Sequence, residues 1–516
     1  MDQTKAAQIK KRYKLACSKK EHHAEHINES YLYTYPAREP KREAGESVYR
    51  ELYDSTATKS ADQLISTILS FLIPNDSKWA VLDVEPELVK NRPHGELRRQ
   101  LAGQTTILFH HLNQSNFYIA AAEALKDVIV AGSACLAVEY DDSGLRYTAV
   151  PVQELAYMDN GRGDVDTVFR DHELPARTLV EMYPDDAPQE LKDMARDNPD
   201  KPVPVIESMT PNGKRSDYAL HLKKGWHKLF MKTVNYMPFV VFRWTKGAND
   251  TWGDSPVRQT LAHIKTANKI VECMLDHGDF AAHGAWFTDD EGMKDQTLYP
   301  GAVLYTYGEG LKPIPFPGDL RVDNALLEQT RAQIREGLYS DALPPPDPAN
   351  RMTTAEVTVR QGQFLRSIGP NAIRLEKEFL KPIVLATIRL LQNAGVMESF
   401  KVDAKPITLL TYSLVRRQMA MEEITRTVEM IGLATSLFGP IGLANIDVPK
   451  LTRHILEAGG VSPQMLKPME QVEQEMQAIN TVQAMMGAQQ AQSGQGNPET
   501  AQATGQALGG LVAGQG

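Results

Sequence analysis

The sequence predicts an α+β protein that is predominantly helical and contains more than one packed unit. Its 516 residues are too many for one ordinary hydrophobic core. Apolar residues recur at helical spacing over long stretches on both sides of a middle region, residues 145–245. In that region, turn signals separate short apolar runs that are typical of strands. Together these observations indicate an α+β chain.

The N-terminal part of the chain predicts helices that are followed by strands. Residues 1–35 form a basic helical segment that ends at Pro36, and residues 60–74 form an amphipathic helix that Pro74 terminates. The alternating stretch SKWAVLDVEP is typical of a strand. Further on, NQSNFYIAAAEALKDVIVAGSACLAVEYDDSG predicts a helix and then a strand, with Gly132 as the break between them.

Residues 145–245 predict mostly β-structure. DNGRGD and PNGKRSD are turn signals, and MPFVVFRW is an apolar strand. GRGD contains an adhesion tripeptide, but the Asn-Gly at its start favours a hairpin turn. NGKRS has the Gly-Lys pair of a phosphate-binding loop without the earlier glycine, so a Walker A motif is excluded.

Residues 255–338 predict two helices separated by a Gly- and Pro-rich β-like insert. Asp254 or Ser255 is a good N-cap for the first helix, and Pro256 suits its first turn. One face of this helix is apolar and comprises Val257, Leu261, Ile264, Val271 and Leu275. Another face carries Arg258, Lys265 and Lys269. The inward face of the second helix comprises Leu320, Leu327, Ile334 and Leu338, whereas Arg331 and Arg335 lie on its polar face.

A proline-rich loop follows the second helix and precedes the longest predicted helix. In SDALPPPDPANRMTTAEV, Thr353 and Glu356 match a capping box, from which a helix could run to residue 394. Gly369-Pro370 interrupts this helix, and Pro382 predicts a further bend. The prolines of the loop favour an extended backbone of low entropy that can protrude.

The C-terminal part predicts two or three helices over residues 414–466, with a turn at FGPIGLANIDVP. A Met/Gln-rich helical stretch over residues 468–490 then gives way to a Gly/Gln/Ala/Ser tail, residues 491–516, that we expect to be disordered.

Composition excludes several classes of protein. The net charge of −9, from 56 basic and 65 acidic residues, argues against a tight non-specific nucleic-acid binder. Three well-separated cysteines, Cys17, Cys135 and Cys273, make a disulfide framework or a cysteine zinc site improbable. No signal sequence and no apolar run of bilayer length is evident, so we expect a soluble protein without membrane partners.

Few residues suggest catalysis. His22, Glu25 and His26 could hold a metal on one helical face, which leaves a metal-dependent enzyme as an alternative, but their order is not H-E-x-x-H and no third ligand is evident. A solvated helix face is the simpler interpretation. Neither a G-x-S-x-G elbow nor a nucleophile–base set is evident. We therefore expect no enzyme activity, no metal and no cofactor.

The series of elements resembles the portal, or head-to-tail connector, proteins of short-tailed double-stranded DNA phages of the podovirus type. The resemblance is carried by YLYTYP, ADQLISTILSFLIPNDSKWAVLDV, SNFYIAAAEALKDVIVAGSACLAVE, TWGDSPVRQTLAHIKTANKI and NRMTTAEVTVRQGQFLRSIGPNAIRLEKEFLKPIVL. These stretches span roughly residues 10–395, and residues after about 410 match poorly. No stretch is a catalytic signature, so the specificity lies in the series.

The resemblance implies a portal fold with named parts. They are a wing at 1–254, a first stem helix at 255–283, a clip at 284–319, a second stem helix at 320–338, a tunnel loop at 339–353, a long bent wing helix with a return strand at 354–412, a crown at 413–467, a candidate barrel helix at 468–490 and the tail at 491–516.

The resemblance also implies functional residues. The tunnel loop would meet DNA through Pro344, Pro345, Pro346, Asp347, Asn350 and Arg351. Prolines would keep such a loop stiff, and Asp341 and Asp347 would oppose tight phosphate binding; a surface loop packed on a neighbour is the alternative. Arg331 and Arg335 would face the channel or pair with acids across a subunit interface. The clip would dock partners through Trp286, Tyr299, Tyr305 and Tyr307.

By the same resemblance, the chain would form a ring of about twelve subunits at one capsid vertex, after assembly in the host cytoplasm. Double-stranded DNA would pass through the ring during packaging and ejection without sequence specificity. Terminase, which would carry the packaging ATPase, and tail adaptors, major capsid and scaffolding proteins would be its partners. A ring-forming tail adaptor or hub is a second alternative.

Overall fold

The structure is a computed structural model that describes most of the chain. The described residues are 2–38, 52–75, 78–83, 94–213, 215–283, 286–288, 299–300, 302–305, 312–313, 320–341, 363–364, 366–398, 408–411, 414–438, 447–458, 467, 471–472 and 475. The chain divides into two compact units, residues 1–92 with 100–418 and residues 93–99 with 419–516.

The described residues form a mixture of helices and strands in which helix predominates, as the sequence predicts. The α-helices are α1 Asp2–Leu32, α2 Thr56–Leu72, α3 His94–Gln114, α4 Phe117–Ala131, α5 Ala176–Met182, α6 Gln189–Asp197, α7 Pro256–His283, α8 Leu320–Gly337, α9 Gly369–Leu375, α10 Lys381–Asn393, α11 Leu414–Phe438 and α12 Val448–Ala458. The strands are β1 Ala80–Asp83, β2 Ser133–Asp141, β3 Gly144–Val150, β4 Leu155–Asp159, β5 Val165–Pro175, β6 Pro202–Asn212, β7 Arg215–Leu222, β8 Lys228–Val234, β9 Phe239–Arg243, β10 Thr245–Lys246, β11 Gly253–Asp254, β12 Trp286–Thr288, β13 Val303–Tyr305, β14 Lys312–Pro313 and β15 Thr408–Thr411.

Two antiparallel sheets form the middle of the first unit. One has the strand order β4-β5-β6-β7-β8 and the other β3-β2-β9. Helix α1 packs on the five-stranded sheet, where Ile9 and Ala16 join Ala156, Phe169 and Ile206 in one apolar cluster. The predicted turns are confirmed, because DNGRGD joins β4 to β5 and PNGKRSD joins β6 to β7. GRGD is thus part of a hairpin.

Two short helices interrupt the region predicted to be mostly β-structure. Helices α5 and α6 each follow a proline, Pro175 and Pro188. Each buries a leucine, Leu179 or Leu191, in an apolar cluster at the edge of the five-stranded sheet. The sequence signal was weak because helices of seven and nine residues hold too few turns to establish a helical period.

Helices α7 and α8 form a pair in which the start of α7 meets the end of α8. Ser255 is the N-cap of α7, since its Oγ accepts a hydrogen bond from the Arg258 amide at 2.8 Å. As predicted, Val257, Leu261 and Ile264 are buried on α7 and Leu327, Ile334 and Leu338 on α8. Leu275 departs from its predicted inward position and is 54% exposed, because the far part of α7 has little cover within one chain.

Gly337 allows this close contact between α7 and α8. A Cβ atom on Gly337 would lie 2.0 Å from Cγ2 of Thr260, a buried residue of α7. Gly337→Ala is therefore expected to lower the free energy of unfolding by about 1–3 kcal/mol, the usual cost of overpacking. Thr260→Ser removes Cγ2 and keeps the hydroxyl, so it should restore stability in the Gly337→Ala background. Urea unfolding of the two single variants and the double variant measures this coupling; strictly additive losses would contradict the contact.

The last helices of the first unit bend where the sequence predicts. Ile368 is a bend between short helical turns and α9, next to Gly369-Pro370. Between α9 and α10, Glu376–Leu380 forms a π-helical turn in which the Lys381 amide bonds to the Glu376 carbonyl, and Pro382 follows at once. A π turn reconciles the helix with a proline, which cannot donate to the preceding turn. Strand β15 then pairs antiparallel with β1. Thr353 and Glu356 of the predicted capping box lie outside the described residues.

The second unit contains most of α11, together with α12. Asp447 caps α12, since its Oδ1 accepts the Lys450 amide at 3.2 Å. Helix α11 exposes several large apolar side chains, namely Val428, Met430, Leu433 and Leu437. Residues 439–446 of the turn at FGPIGLANIDVP, the tail at 491–516 and all but residues 471–472 and 475 of the stretch at 468–490 lie outside the described residues.

Candidate channel and docking elements

Arg331 ties α8 to the start of α2. Its Nε and Nη2 donate to Oδ2 of Asp54 at 2.9 and 2.7 Å, and Nη1 donates to Glu328 at 2.9 Å. The Asp54 side chain is only 3% exposed. Burial alone would raise the pKa of Asp54, but hydrogen bonds from Thr56 and Arg331 outweigh it, so the pKa is lowered. Arg331 thus pairs with an acid of its own chain.

Arg335 lies one turn further along α8 and is more accessible. Its Nε is 3.3 Å from Oδ1 of Asp341, and the two side chains are 39% and 52% exposed. Its carbonyl oxygen accepts hydrogen bonds from the amide and hydroxyl of Ser340. An exposed pair of this kind contributes little to stability, so the Arg335 side chain can exchange partners at low cost.

The residues that follow α8 are held at a fixed point on α2. Tyr339 has a φ of 57°, and the buried Ser340 that follows donates to Oγ of Ser60 at 3.2 Å. Nε2 of Gln63 donates to the Ser340 carbonyl at 3.2 Å. Six predicted contact residues of the tunnel loop lie beyond this point and outside the described residues, namely Pro344, Pro345, Pro346, Asp347, Asn350 and Arg351.

The chain returns to the same helix. Phe364 is 1% exposed and stacks on Phe71 of α2 with ring centroids 5.9 Å apart. Eight residues separate Gln63 from Phe71, about 12 Å along a helix. The described residues on either side of 342–362 therefore contact the same helix about two turns apart, and this helix packs against α7 and α8.

A small sheet separates α7 from α8 in sequence. Strand β12 pairs parallel with β13 and antiparallel with β14. Trp286 is 38% and Tyr299 46% exposed. Ala302 is buried; its carbonyl accepts the Trp286 amide and its amide donates to the Tyr299 carbonyl. Tyr305 ends β13, but its side chain, like all of Tyr307, lies outside the described residues. Two of the four predicted docking aromatics are thus accessible.

A strongly perturbed titratable pair lies within the five-stranded sheet. Oε1 of Glu207 on β6 is 3.3 Å from Nε2 of His172 on β5, with side chains 10% and 7% exposed. Burial raises the pKa of Glu207 to about 7 and lowers the pKa of His172 to about 4. Such shifts also mark active sites, but here burial leaves a substrate no access, so the pair is a structural one.

Glu207→Gln is expected to gain stability relative to the wild type as pH rises. The raised pKa means that the native state keeps the Glu207 proton up to about pH 7, whereas the unfolded chain loses it near 4.5. The stability that this proton contributes is full below pH 4.5 and is lost as pH rises through 7. The difference between variant and wild type should therefore grow by about 3 kcal/mol from pH 4.5 to 8. Urea unfolding across that range measures it. Glu173→Gln, at an exposed site on β5, is the control, and a flat difference for Glu207→Gln would contradict the assignment.

The alternative of a metal-dependent enzyme gains no support from the structure. His22, Glu25 and His26 lie on α1, where both histidines are exposed. Within the described part of the chain, no group of three or more His, Cys, Asp or Glu side chains is arranged to hold a metal ion. A helix long and apolar enough to span a membrane is likewise not found among the described residues.

Sequence reasoning did not identify the residues that anchor Arg331 and the proline-rich segment. Asp54 stands two residues before the first hydrogen-bonded turn of α2, a helix-start signal that is visible in YDSTATKS. Its partnership with Arg331 spans 277 positions and leaves no local pattern. Asn268 of α7 completes the anchor, since its Oδ1 accepts the amides of Tyr53 and Asp54.

Comparison with known proteins agrees with this architecture. The family model for bacteriophage head to tail connecting protein matches residues 6–466, beyond the reach of the resemblance seen in the sequence. The portal protein of Salmonella phage epsilon15 is 23% identical over 422 residues, which cover 74% of this chain and 75% of that protein. A probable portal protein of Bordetella phage BPP-1 is 21% identical over 465 residues, 84% of this chain and 82% of that protein.

Among solved structures, a chain from the neck of an empty GTA particle, computed with C6 symmetry, is 13% identical and covers 73% of this chain and 88% of its own length. Its TM-score of 0.34 marks a distant similarity. The family match extends over most of the chain and includes every described element from α1 to α12. The chain therefore belongs to the bacteriophage head to tail connecting protein family, a family of structural connectors, and its function is that of a phage portal protein.

Proposed function

We propose that the chain assembles into a closed ring of about twelve subunits at one capsid vertex, and that double-stranded DNA passes through the axial channel during packaging and ejection. In this proposal α7 and α8 are the stem, residues 284–319 the clip and residues 339–353 the tunnel loop. The protein supplies geometry, and the packaging ATPase belongs to a separate terminase. Mature particles carry the ring at the junction of head and tail.

The observation that carries this proposal is that described residues on both sides of 342–362 contact α2. Ser340 does so before the segment and Phe364 after it, and α2 packs against α7 and α8. A segment held at both ends can project without drifting, and its prolines limit the backbone states that it samples. These are the properties that a loop facing a moving duplex needs. We propose that Pro344, Pro345, Pro346, Asp347, Asn350 and Arg351 contact the DNA.

The two stem arginines receive different roles. Arg331 is held by Asp54 and Glu328, which suits a tie that keeps the stem rigid. Arg335 pairs with the exposed Asp341, its one side-chain partner among the described residues, and is the better candidate for a channel-facing charge. A weak, exchangeable cation can contact passing phosphates without holding them, whereas many fixed cations would bind DNA tightly.

Exposed apolar side chains support both docking and ring assembly. Trp286 and Tyr299 give the clip accessible aromatic area, the residue type most enriched at protein interfaces. We propose that they meet terminase and then tail adaptors. Leu275 and Leu326 on the stem are 54% and 47% exposed. In a ring a neighbouring subunit would cover such residues, because a heterologous interface joins two different faces of each chain.

Native mass measurement and negative-stain electron microscopy of the purified protein test ring assembly. The expected result is a ring with a central hole and a mass near twelve times the 57.4 kDa chain. Scaffolding or capsid protein is added in a parallel sample, since some rings close only with a partner. A monomer or dimer in both samples would contradict the proposal.

A further inference from the structure

The first turns of α1 carry a concentration of positive charge, in contrast to the negative net charge of the whole chain. Residues 1–20 contain seven lysines and arginines and one aspartate, although the whole chain has a net charge of −9. Helix α1 buries its apolar side on the five-stranded sheet. Its basic residues therefore lie mainly on the outer side, as a charged stripe.

Part of this stripe is paired within the chain and part is not. Lys10 lies over the ring of Trp226, Lys19 donates to the Thr251 hydroxyl and Lys20 donates to the Gln153 carbonyl. By contrast, no hydrogen bond or ion pair joins Lys11, Arg12 or Lys14 to any other described residue. All three are exposed. Their charges are available to an external partner.

Lys11 and Arg12 line an open groove of about 490 Å³ between α1 and the β6–β7 hairpin, whereas Lys14 does not line it. Helix α1 contributes Lys5, Lys11 and Arg12, and the hairpin contributes Thr210 and Asn212. The acidic residue of the groove is Asp217, which is 9% exposed, accepts hydrogen bonds from Thr233 and Asn212, and lies 3.9 Å from Lys5. The groove therefore has a positively charged rim, and the acidic residue that lines it is already hydrogen-bonded within the chain.

The arrangement suits a phosphate backbone better than a small anion or a peptide. Residues 5 to 14 extend about 14 Å along α1, about four nucleotides of one DNA strand at 3.4 Å each. Lysine, arginine, threonine and asparagine are the side chains that contact DNA phosphates without reading sequence. An open groove without an enclosing pocket matches an extended polymer.

We propose that the groove between α1 and the β6–β7 hairpin binds the backbone of duplex DNA without sequence specificity, at a site separate from the channel. This inference rests on the proposed function in one respect, namely that DNA is the polymer which the ring handles. Lys11 and Arg12 supply the principal contacts.

Covalently closed circular plasmid is the probe, because it cannot thread a closed ring and reports binding outside the channel. Full-length wild type is compared with the double variant Lys11→Gln, Arg12→Gln in filter binding from 50 to 200 mM salt. The control, Lys192→Gln, Lys201→Gln, removes the same charge elsewhere. We expect the double variant to bind at least tenfold more weakly and its log–log salt slope to fall by about 1.8, at 0.9 per phosphate contact. The control should stay within twofold of the wild type.

Other outcomes would overturn the inference. Equal plasmid binding by wild type and the double variant would do so. Wild-type binding to a labelled polyglutamate peptide but not to plasmid would also do so, because it would identify an acidic protein segment as the partner. The single variant Lys11→Gln, with an expected slope change of about 0.9, provides the test if the double variant is misfolded. Electron microscopy of the same samples distinguishes failure of this inference from failure of the proposed function. Missing rings would contradict the proposed function, and DNA binding at the surface could still be measured.

Discussion

Replacing Gly132 with alanine should lower the free energy of unfolding by more than about 3 kcal/mol, a loss reserved for a few severe mechanisms. Gly132 has a φ of +81°, which disfavours any residue with a side chain. A Cβ atom there would lie 2.4 Å from the carbonyl oxygen of Gly253, and that oxygen belongs to backbone that cannot rotate away. Urea unfolding followed by tryptophan fluorescence measures the loss, since Trp244 and Trp252 are buried in this unit.

Gly161→Ala separates backbone strain from this clash. Gly161 has a similar φ of +74°, but nothing lies within 4 Å of where its Cβ would be. Its replacement should therefore cost only the left-handed strain, about 1–2 kcal/mol. Gly253→Ala, whose Cβ would lie 2.0 Å from the Gly132 oxygen, should match Gly132→Ala. Equal losses for Gly132→Ala and Gly161→Ala would show that the close approach is absent.

The second large effect concerns a buried ion pair. The Arg243 side chain is 1% exposed, and its Nε and Nη2 donate to the two carboxylate oxygens of Glu378 at 3.0 and 2.8 Å. Arg243 also donates to the carbonyls of Thr251 and Gly163. Glu378→Gln would leave a buried guanidinium without its counter-ion, so we expect a loss of about 3–5 kcal/mol in urea unfolding.

Arg374→Gln is the matched control for this pair. Arg374 donates to the same carboxylate at 3.0 Å, but its side chain is 33% exposed, so its removal should cost less than about 1 kcal/mol. If Glu378→Gln and Arg374→Gln lowered the free energy of unfolding by comparable amounts, burial of Arg243 would not be the cause of the loss in Glu378→Gln. Because Glu378 lies in the π-helical turn and Arg243 on β9, this pair fixes the helices after the proline-rich segment onto the central sheets.

Local sequence patterns predicted the helices and strands better than the long-range contacts between them. The apolar spacing at Leu64, Ile65 and Ile68 predicted α2, and all three are buried. Gly132 was predicted as a break and is the C-cap of α4. Such features depend on neighbours within one or two turns. The Arg331–Asp54 and Arg243–Glu378 pairs join residues 277 and 135 positions apart, and only the folded chain brings them together.

In the candidate site, too, the local features were visible in the sequence and the long-range contacts were not. A proline-rich run between two helices was evident in the sequence, and so were the clip aromatics. The attachment of that run to α2 at both ends was not, because Ser340 and Phe364 are ordinary residues until Ser60 and Phe71 are placed beside them. Exposure of Leu275 was also missed, since periodicity identifies an apolar face without showing whether the same chain covers it.

We propose that this chain forms a ring whose stem borders a DNA-sized channel. A single-particle reconstruction of the assembled protein, with the symmetry determined from the images, is the decisive measurement. We expect a closed ring of about twelve subunits with α7 and α8 around a central channel wide enough for duplex DNA, and residues 342–362 projecting into it. A closed particle without a channel, or a ring with α7 and α8 on its outer rim, would contradict it.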